Sequence, residues 1–210
     1  MKKLFVILGE ASSGKDTILK EVVKSLHNTE IAVSFTTRPM RDGEVEGREY
    51  NFITTKEFRR LFDNGQIVES TSYNVASGEI WFYGLTRAEL EKSEYVTVIT
   101  NPHGLEQLKK VYGDKVVSIY ITANGKDRVI RYLNREQRVD DLKVAECCRR
   151  FLADAKDFKG LITDYKVIND NNTKLEDVVD RVKNIIRVVS GNATLEQCNE
   201  DFKKDPARFL

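Results

Sequence analysis

The segment Gly9-Glu10-Ala11-Ser12-Ser13-Gly14-Lys15-Asp16-Thr17 sets two glycines around four residues and follows the second with a lysine. Backbone N–H groups that curl around an anion need glycine wherever a side chain would clash. The lysine then reaches the β- and γ-phosphates of a nucleotide, and a helix opening there adds the positive end of its dipole. This makes Gly9, Ala11, Ser12, Ser13, Gly14, Lys15, Asp16 and Thr17 the candidate donor-nucleotide contacts, with Lys15 also catalytic. One position departs from G-x-x-x-x-G-K-S/T. Asp16 stands where a hydroxyl normally meets Mg2+. A carboxylate also ligates Mg2+, so Asp16 is the candidate metal ligand, and Thr17 keeps a hydroxyl one residue later.

A second constellation follows: Ser34, Thr36-Thr37-Arg38, Arg41, Gly43-Glu44, Gly47, Tyr50, Phe52, Glu57-Phe58, Gly65, Glu69 and Tyr83-Gly84. Together with the glycine loop, from about Leu4 to Val189, this pattern resembles the guanylate kinase family. The resemblance implies ATP as phosphoryl donor, Mg2+ as cofactor, and an inserted subdomain that binds GMP or dGMP. It assigns Ser34, Arg38, Arg41, Tyr50 and Tyr83 to the acceptor phosphate and Glu69 to the guanine edge. The chemistry of the side chains agrees. Two arginines three residues apart can close on a phosphate dianion, tyrosine hydroxyls add donors, and a carboxylate accepts from guanine N1–H and the 2-amino group. Taken singly, the arginines also read as surface ion-pair residues, the tyrosines as strand packing and Glu69 as a solvated strand residue. Their joint spacing beside a phosphate loop favours a site.

The departures from the family are as informative. After Tyr83-Gly84 the family usually has Ser or Thr against guanine O6. Here Leu85 holds that position and Thr86, the next hydroxyl, is the remaining candidate. The stretch from Glu69 to Tyr83 is longer than usual, which predicts a hairpin extended at Asn74 to Glu79. Where the family has an acidic pair after the next core strand, this chain has Asn101-Pro102-His103-Gly104, so Asp16 could restore the charge missing at Asn101. His103 reads as a polar loop residue, because an acceptor phosphate needs no general base. The family also closes a lid of arginines over the transferring group. The candidates are Arg135, Arg138 and Arg149 within the run that begins at Arg128 and Arg131, although the usual R-G-R-G signature is absent. A solvated basic helix face is the alternative. Asn169, in Val167-Ile168-Asn169-Asp170, matches the turn beside the adenine.

These residues need a scaffold of strands and helices. Leu4 to Leu8 is a short apolar strand leading into the loop, and Ile18, Leu19, Val22, Val23 and Leu26 then recur at helical spacing. Further strands are expected at Ile31 to Phe35, Glu49 to Thr54, Ile67 to Tyr73, Ile80 to Tyr83, Tyr95 to Thr100, Val116 to Thr122 and Tyr165 to Ile168. Helices are expected at Thr55 to Asn64 with a threonine cap, Gly104 to Tyr112, Lys126 to Phe158 with a break around Arg135 to Asp141, and Leu175 to Val189. Strands alternating with helices predict an α/β fold, a parallel P-loop sheet covered by helices on both faces. The domain plan is a core of residues 1–33 and 94–190, a small mixed α/β acceptor subdomain at 34–93, a helical lid at 134–148, and a tail at 191–210 with Phe202 and Phe209 as docking residues.

Composition bounds the rest. With 210 residues, one domain with an insertion is expected. A net charge of +1 excludes a nucleic-acid binder driven by bulk charge, and the longest apolar run is too short for a bilayer. Met1-Lys2-Lys3 mimics the start of a signal peptide, but no cleavage site follows. Cys147, Cys148 and Cys198 form no C-x-x-C pair and two histidines cannot build a metal cluster, so a cytoplasmic setting is expected. The expected partners are small-molecule nucleotides, with no nucleic acid and no membrane, for a monomer or homodimer. Two alternatives stay open. One is a kinase of ribose 1,5-bisphosphate or of several deoxynucleotides, since enzymes of the former kind share the Gly-Lys-Asp loop. The other is a non-catalytic guanylate-kinase-like interaction module.

Overall fold

Lys3–Leu8 (β1) is apolar after its first residue, and Leu4 to Leu8 are wholly buried. A strand with no solvent-facing side belongs in the middle of a parallel sheet. The computed structural model, which describes residues 1–74, 78–135 and 141–194, places it there. The five-stranded sheet runs β2-β7-β1-β8-β9, with β2 at Thr29–Ile31, β7 at Tyr95–Ile99, β8 at Val116–Thr122 and β9 at Tyr165–Ile168. β2 pairs parallel with β7, Thr29 opposite Tyr95, and β8 pairs parallel with β9, Ile119 opposite Tyr165. Helices α1 (Lys15–Lys24) and α7 (Leu175–Val189) pack together. Their buried residues recur at helical spacing: Ile18, Leu19 and Val22 on one, Val178, Val182, Ile185 and Ile186 on the other.

A second, mixed sheet has the order β4-β3-β6-β5. Strands β3 (Phe35–Thr36) and β4 (Asn51–Phe52) run parallel, and β3 lies antiparallel to β6 (Ile80–Thr86), which forms a long antiparallel pair with β5 (Ile67–Asn74). Helix α2 (Thr55–Asp63) opens with a capping box: Thr54 accepts from the Glu57 N–H while the Glu57 carboxylate accepts from the Thr54 N–H. Phe58 of α2 is buried against Phe82, ring centroids 5.4 Å apart. Helix α3 (Arg87–Leu90) follows β6, and α4 (Pro102–Tyr112) follows β7. Gln107 of α4 holds the β5 edge with both halves of its amide: it accepts from Ser70 N–H at 3.0 Å and donates to Ser70 C=O at 2.9 Å. A 3-10 turn at Gly113–Lys115 leads into β8, and α5 (Gly125–Arg135) and α6 (Asp141–Asp157) precede β9.

The expected Ile31 to Phe35 strand is replaced by two short strands, because the chain passes from the parallel sheet to the mixed one between Ile31 and Phe35. Glu49 to Thr54 shrinks to two residues, since β4 has a single strand neighbour in that sheet. Packing divides the chain into two compact units. The first comprises Met1–Leu4, Asn28–Val98 and His103–Val116, the second Phe5–His27, Ile99–Pro102 and, of the described residues, 117–194. The first unit holds the described part of 34–93 together with β2 and most of α4; residues 195–210, with Cys198, Phe202 and Phe209, lie outside the described residues.

Candidate functional site

The donor loop lies in the second unit, between β1 and α1. Gly14 caps α1 in the left-handed region, φ 89°, where only glycine is relaxed, and a Cβ there would also strike the Asn169 amide nitrogen. A Cβ on Gly9 would sit 2.5 Å from the Ile121 carbonyl oxygen and from Ser13 Oγ. Both glycines therefore make room for protein groups that hold the loop, in addition to any anion. Asn169, at the end of β9, donates from Nδ2 to the Ser13 carbonyl at 2.7 Å and is 7% exposed. The turn beside the last strand is thus a support of the phosphate loop. Ser12 has φ 62°, a left-handed conformation rare for serine.

Lys15 lies at the mouth of this loop, partly buried, with Nζ 3.4 Å from the Glu10 carbonyl and 3.8 Å from Asp16 Oδ2. Ser12 Oγ and Ser13 Oγ are buried with no hydrogen-bond partner among the described residues, a donor pair that suits a phosphate oxygen. Asp16 and Thr17 on the first turn of α1 are exposed, so a carboxylate, paired with Lys15 at 3.8 Å, and a hydroxyl face solvent as hard oxygen donors. No cluster of three His, Cys, Asp or Glu occurs among the described residues. Mg2+ at a nucleotide needs none, because it is bound mainly through phosphates, water and one or two carboxylates.

Two further residues that sequence reasoning left without a role hold the loop. Arg128 of α5 donates to the Ala11 carbonyl at 2.9 Å and to Glu10 Oε1 at 3.2 Å, and Asp154 of α6 accepts from the Ala11 N–H at 2.7 Å. Burial pushes the Asp154 carboxyl up, against the downward pull of the Ala11 N–H and the positive charges of Arg128 and Lys15. No local sequence signal marks these partners. Arg128 was visible only as one arginine among several.

The acceptor residues lie in the first unit, on and beside the mixed sheet. Arg38 is buried, its side chain 3% exposed, and forks onto Glu44: NH2 to Oε1 at 2.5 Å and NH1 to Oε2 at 2.8 Å. Its guanidinium lies 4.9 Å from the Tyr50 ring centroid and 5.3 Å from that of Phe52. Tyr83 meets Tyr50 edge-on at 5.7 Å and Tyr73 at 5.6 Å. Burial opposes the Arg38 charge, and the hydrogen bond and charge of Glu44 outweigh it, leaving the guanidinium above its usual pKa. The same hydrogen bond holds Glu44 below the usual carboxylate range. Glu44 also accepts from the Arg41 N–H at 2.8 Å, while the Arg41 side chain is exposed. The two arginines thus differ: Arg38 is fixed, and Arg41 is presented to solvent. Glu44 organises both. It stands in the motif, and its pairing was readable from its nearness to two arginines.

Glu69 is 4% exposed on β5, cross-strand from Leu85, which is completely buried. Leu85 is therefore a core residue of this unit. Thr86 is the N-cap of α3, its hydroxyl accepting from Glu89 N–H at 3.3 Å. Ser34 accepts from Asn51 N–H at 2.9 Å through its carbonyl and keeps a half-buried side chain. Of the hairpin extension expected at Asn74 to Glu79, residues 75–77 lie outside the described residues.

Of the lid candidates, Arg135 is exposed at the end of α5 with its guanidinium 5.3 Å from the Tyr132 ring centroid. Arg149 donates twice to Glu146 at 2.7 and 2.8 Å. Arg138 lies outside the described residues. Arg131 of α5 donates to the Asn169 carbonyl at 2.8 Å, beside the expected adenine turn. Asn101 is partly buried after β7, and His103 is exposed on α4. Among the described residues no helix is long and apolar enough to cross a membrane.

A family model described as Guanylate kinase matches residues 1–189. The guanylate kinase of Thermotoga maritima is 32% identical over 212 residues, covering 97% of this chain and 95% of that protein. That of Helicobacter hepaticus is 28% identical over 181 residues, covering 84% and 86%. The crystal structure of guanylate kinase from Anaplasma phagocytophilum superposes with a TM-score of 0.59 at 24% identity, covering 96% of this chain and 92% of that one, a likeness of fold.

Proposed function

The chain belongs to the guanylate kinase family, and from that premise we propose that it transfers the γ-phosphoryl group of ATP to GMP or dGMP, giving ADP and the nucleoside diphosphate. The single observation that carries the acceptor assignment is Arg38, buried and forked beside the rings of Tyr50 and Phe52, with Tyr83 against Tyr50. A fixed guanidinium with tyrosine hydroxyls nearby is suited to a phosphate monoester. The buried Glu69 carboxylate is suited to the guanine N1–H and 2-amino group, and adenine offers no such pair.

In this reading an oxygen of the acceptor phosphate attacks the γ-phosphorus in line, the bond to the bridging oxygen of ADP breaks, and no proton need be removed. Positioning and charge neutralisation carry the rate. Loop N–H groups, the Ser12 and Ser13 hydroxyls and Lys15 hold the β- and γ-phosphates. Exposed Arg41 follows the acceptor phosphate. Arg135, Arg149 and Arg138 supply lid charge and exclude water from the transferring group. Asp16 and Thr17 would hold Mg2+, which supplies further neutralisation of the phosphates. Asn169 borders the adenine. Ser34 completes the acceptor phosphate contacts. Thr86, already a helix cap, is the remaining hydroxyl candidate for the base. Free thiols at Cys147 and Cys148 suit a reducing cytoplasm.

The test is ADP release with ATP and Mg2+ across GMP, dGMP, AMP, CMP, UMP, dTMP and ribose 1,5-bisphosphate. Turnover confined to GMP and dGMP is expected. Turnover with the sugar phosphate alone would assign the retained phosphate clamp to a different acceptor, and ATP binding without any turnover would point to an interaction module.

A further inference from the structure

The Ala11 peptide of the donor loop is gripped from both ends by helices that the phosphate-loop motif does not include. Its C=O accepts from Arg128 Nε at 2.9 Å and its N–H donates to Asp154 Oδ2 at 2.7 Å. The two gripping side chains are joined, Arg128 NH2 donating to the same Asp154 oxygen at 3.0 Å. Arg128 also donates to Glu10 Oε1 at 3.2 Å, and the Phe151 ring of α6 covers its guanidinium at 4.7 Å. The carboxylates of Glu10 and Asp154 are thus matched by Arg128 and by Lys15, whose charges both act on Asp154.

The neighbouring residue shows what the grip accomplishes. Ser12 holds a left-handed φ of 62°. A serine keeps that conformation only where its surroundings over-determine it. Ala11 is held on one side of it by Arg128 and Asp154, and the Ser13 carbonyl on the other by Asn169. The turn through Ser12, in which the Ser13 N–H closes onto the Glu10 carbonyl at 3.2 Å, is therefore clamped at both flanks. The Ala11 N–H itself is committed to a carboxylate.

We infer that Arg128 and Asp154 are positioning residues for the donor phosphates: by gripping the Ala11 peptide they set the loop turn and tie α5 and α6 to it. This inference rests on the reading of the loop as the ATP site. It predicts a defect confined to the donor. Asp154→Ala and Arg128→Met should each raise the Kd and KM for ATP about tenfold or more, the loss of one charge-assisted hydrogen bond, with KM for GMP unchanged. Asp154→Asn keeps an acceptor for the Ala11 N–H and should recover most of the ATP affinity.

Asp164→Ala serves as the control. Asp164 also accepts from a backbone N–H, that of Ser118 at 2.7 Å, in the same unit but away from the loop. It should lower Tm without moving the Kd for ATP. ATP binding would be measured by calorimetry and the two KM values by coupled assay, each corrected for folded fraction; if Asp154→Ala does not fold, Arg128→Met and Asp154→Asn carry the comparison. Equal rises in both KM values, or an ATP defect in Asp164→Ala as large as in Asp154→Ala, would overturn the inference. So would variants that bind ATP like the wild type. Absence of ATP binding by the wild-type chain would instead overturn the donor reading, and this inference with it.

Discussion

The donor loop is held by side chains 117, 143 and 156 residues away in sequence, whereas Arg38 of the acceptor sheet is held by Glu44, six residues on. The contrast follows from what each region uses as a ligand. A phosphate loop binds with backbone N–H groups, which every residue has, so its shape must be imposed by whatever packs against it. In the proposed reading the acceptor region binds with side chains, and a buried guanidinium needs a counter-charge close by. In this chain that partner lies in the same short loop. The rings of this cluster come from further away, placed by register: Thr36 pairs with Phe52 across β3 and β4 and with Tyr83 across β3 and β6. A loop built from backbone is fragile at its remote supports; a clamp built from side chains is fragile at its own residues.

The comparison can be broken by substitutions of graded effect. Lys15→Met should lower kcat about a thousandfold, the loss of a charge placed where the transition state needs it, with KM for GMP little changed; a matching fall in GMP affinity would show the two regions acting as one. Arg38→Lys removes the fork, and KM for GMP should rise about fiftyfold while KM for ATP stays constant in the same coupled assay. Glu69→Gln leaves one hydrogen-bond mismatch at the guanine edge, so the preference for GMP over AMP should fall by about tenfold or more, read as the ratio of kcat/KM values.

Leu85 sharpens the contrast from the side of stability. Leu85→Ala should cost about 3 kcal/mol in denaturant unfolding, as expected for a fully buried leucine, with KM for GMP within about twofold of wild type once folded fraction is corrected. A large change in base preference instead would return that position to the base pocket. The smallest effect is expected at Glu146, whose carboxyl is held down to about 2 by hydrogen bonds from Arg149 first and Arg150 second. A depressed carboxyl stabilises the fold above its unfolded pKa and loses that contribution as pH falls toward the folded value. Glu146→Gln should therefore cost about 1 kcal/mol above pH ~5, since the partners are partly exposed, and the difference from wild type should vanish near pH ~2. If Arg149 leaves Glu146 for ATP, saturating nucleotide should shrink that difference at neutral pH.

Much of the scaffold was legible. Val116–Thr122 and Leu175–Val189 appear with the bounds their apolar pattern predicts, because each buries one continuous face or run, and Tyr165–Ile168 appears with its expected bounds although only Val167 is buried. A threonine cap was expected for the helix at Thr55 to Asn64, and the structure places it at Thr54, three residues before Glu57. The short strands of the mixed sheet were not legible, since a two-residue strand exists only through its neighbours: Phe35–Thr36 is flanked by β4 and β6. In the donor loop, the motif named Gly9, Gly14 and Lys15, and pointed to phosphate as the reason for the glycines. The packing adds the Ile121 carbonyl and the Asn169 amide.

By itself the sequence determined the chemistry available: glycine spacing that frees backbone donors, a lysine at the helix start, and arginines, tyrosines and a glutamate in a fixed order. Those are local properties, set by φ/ψ freedom and charge along a few residues. Tertiary structure alone decided which residues support the chemistry. Asp154 and Arg128 meet at Ala11, and Leu85 becomes core, because strand order and helix packing bring together residues that chain distance keeps apart. No local spacing encodes that meeting, since its free energy comes from burial that exists only once the sheet and helices have assembled.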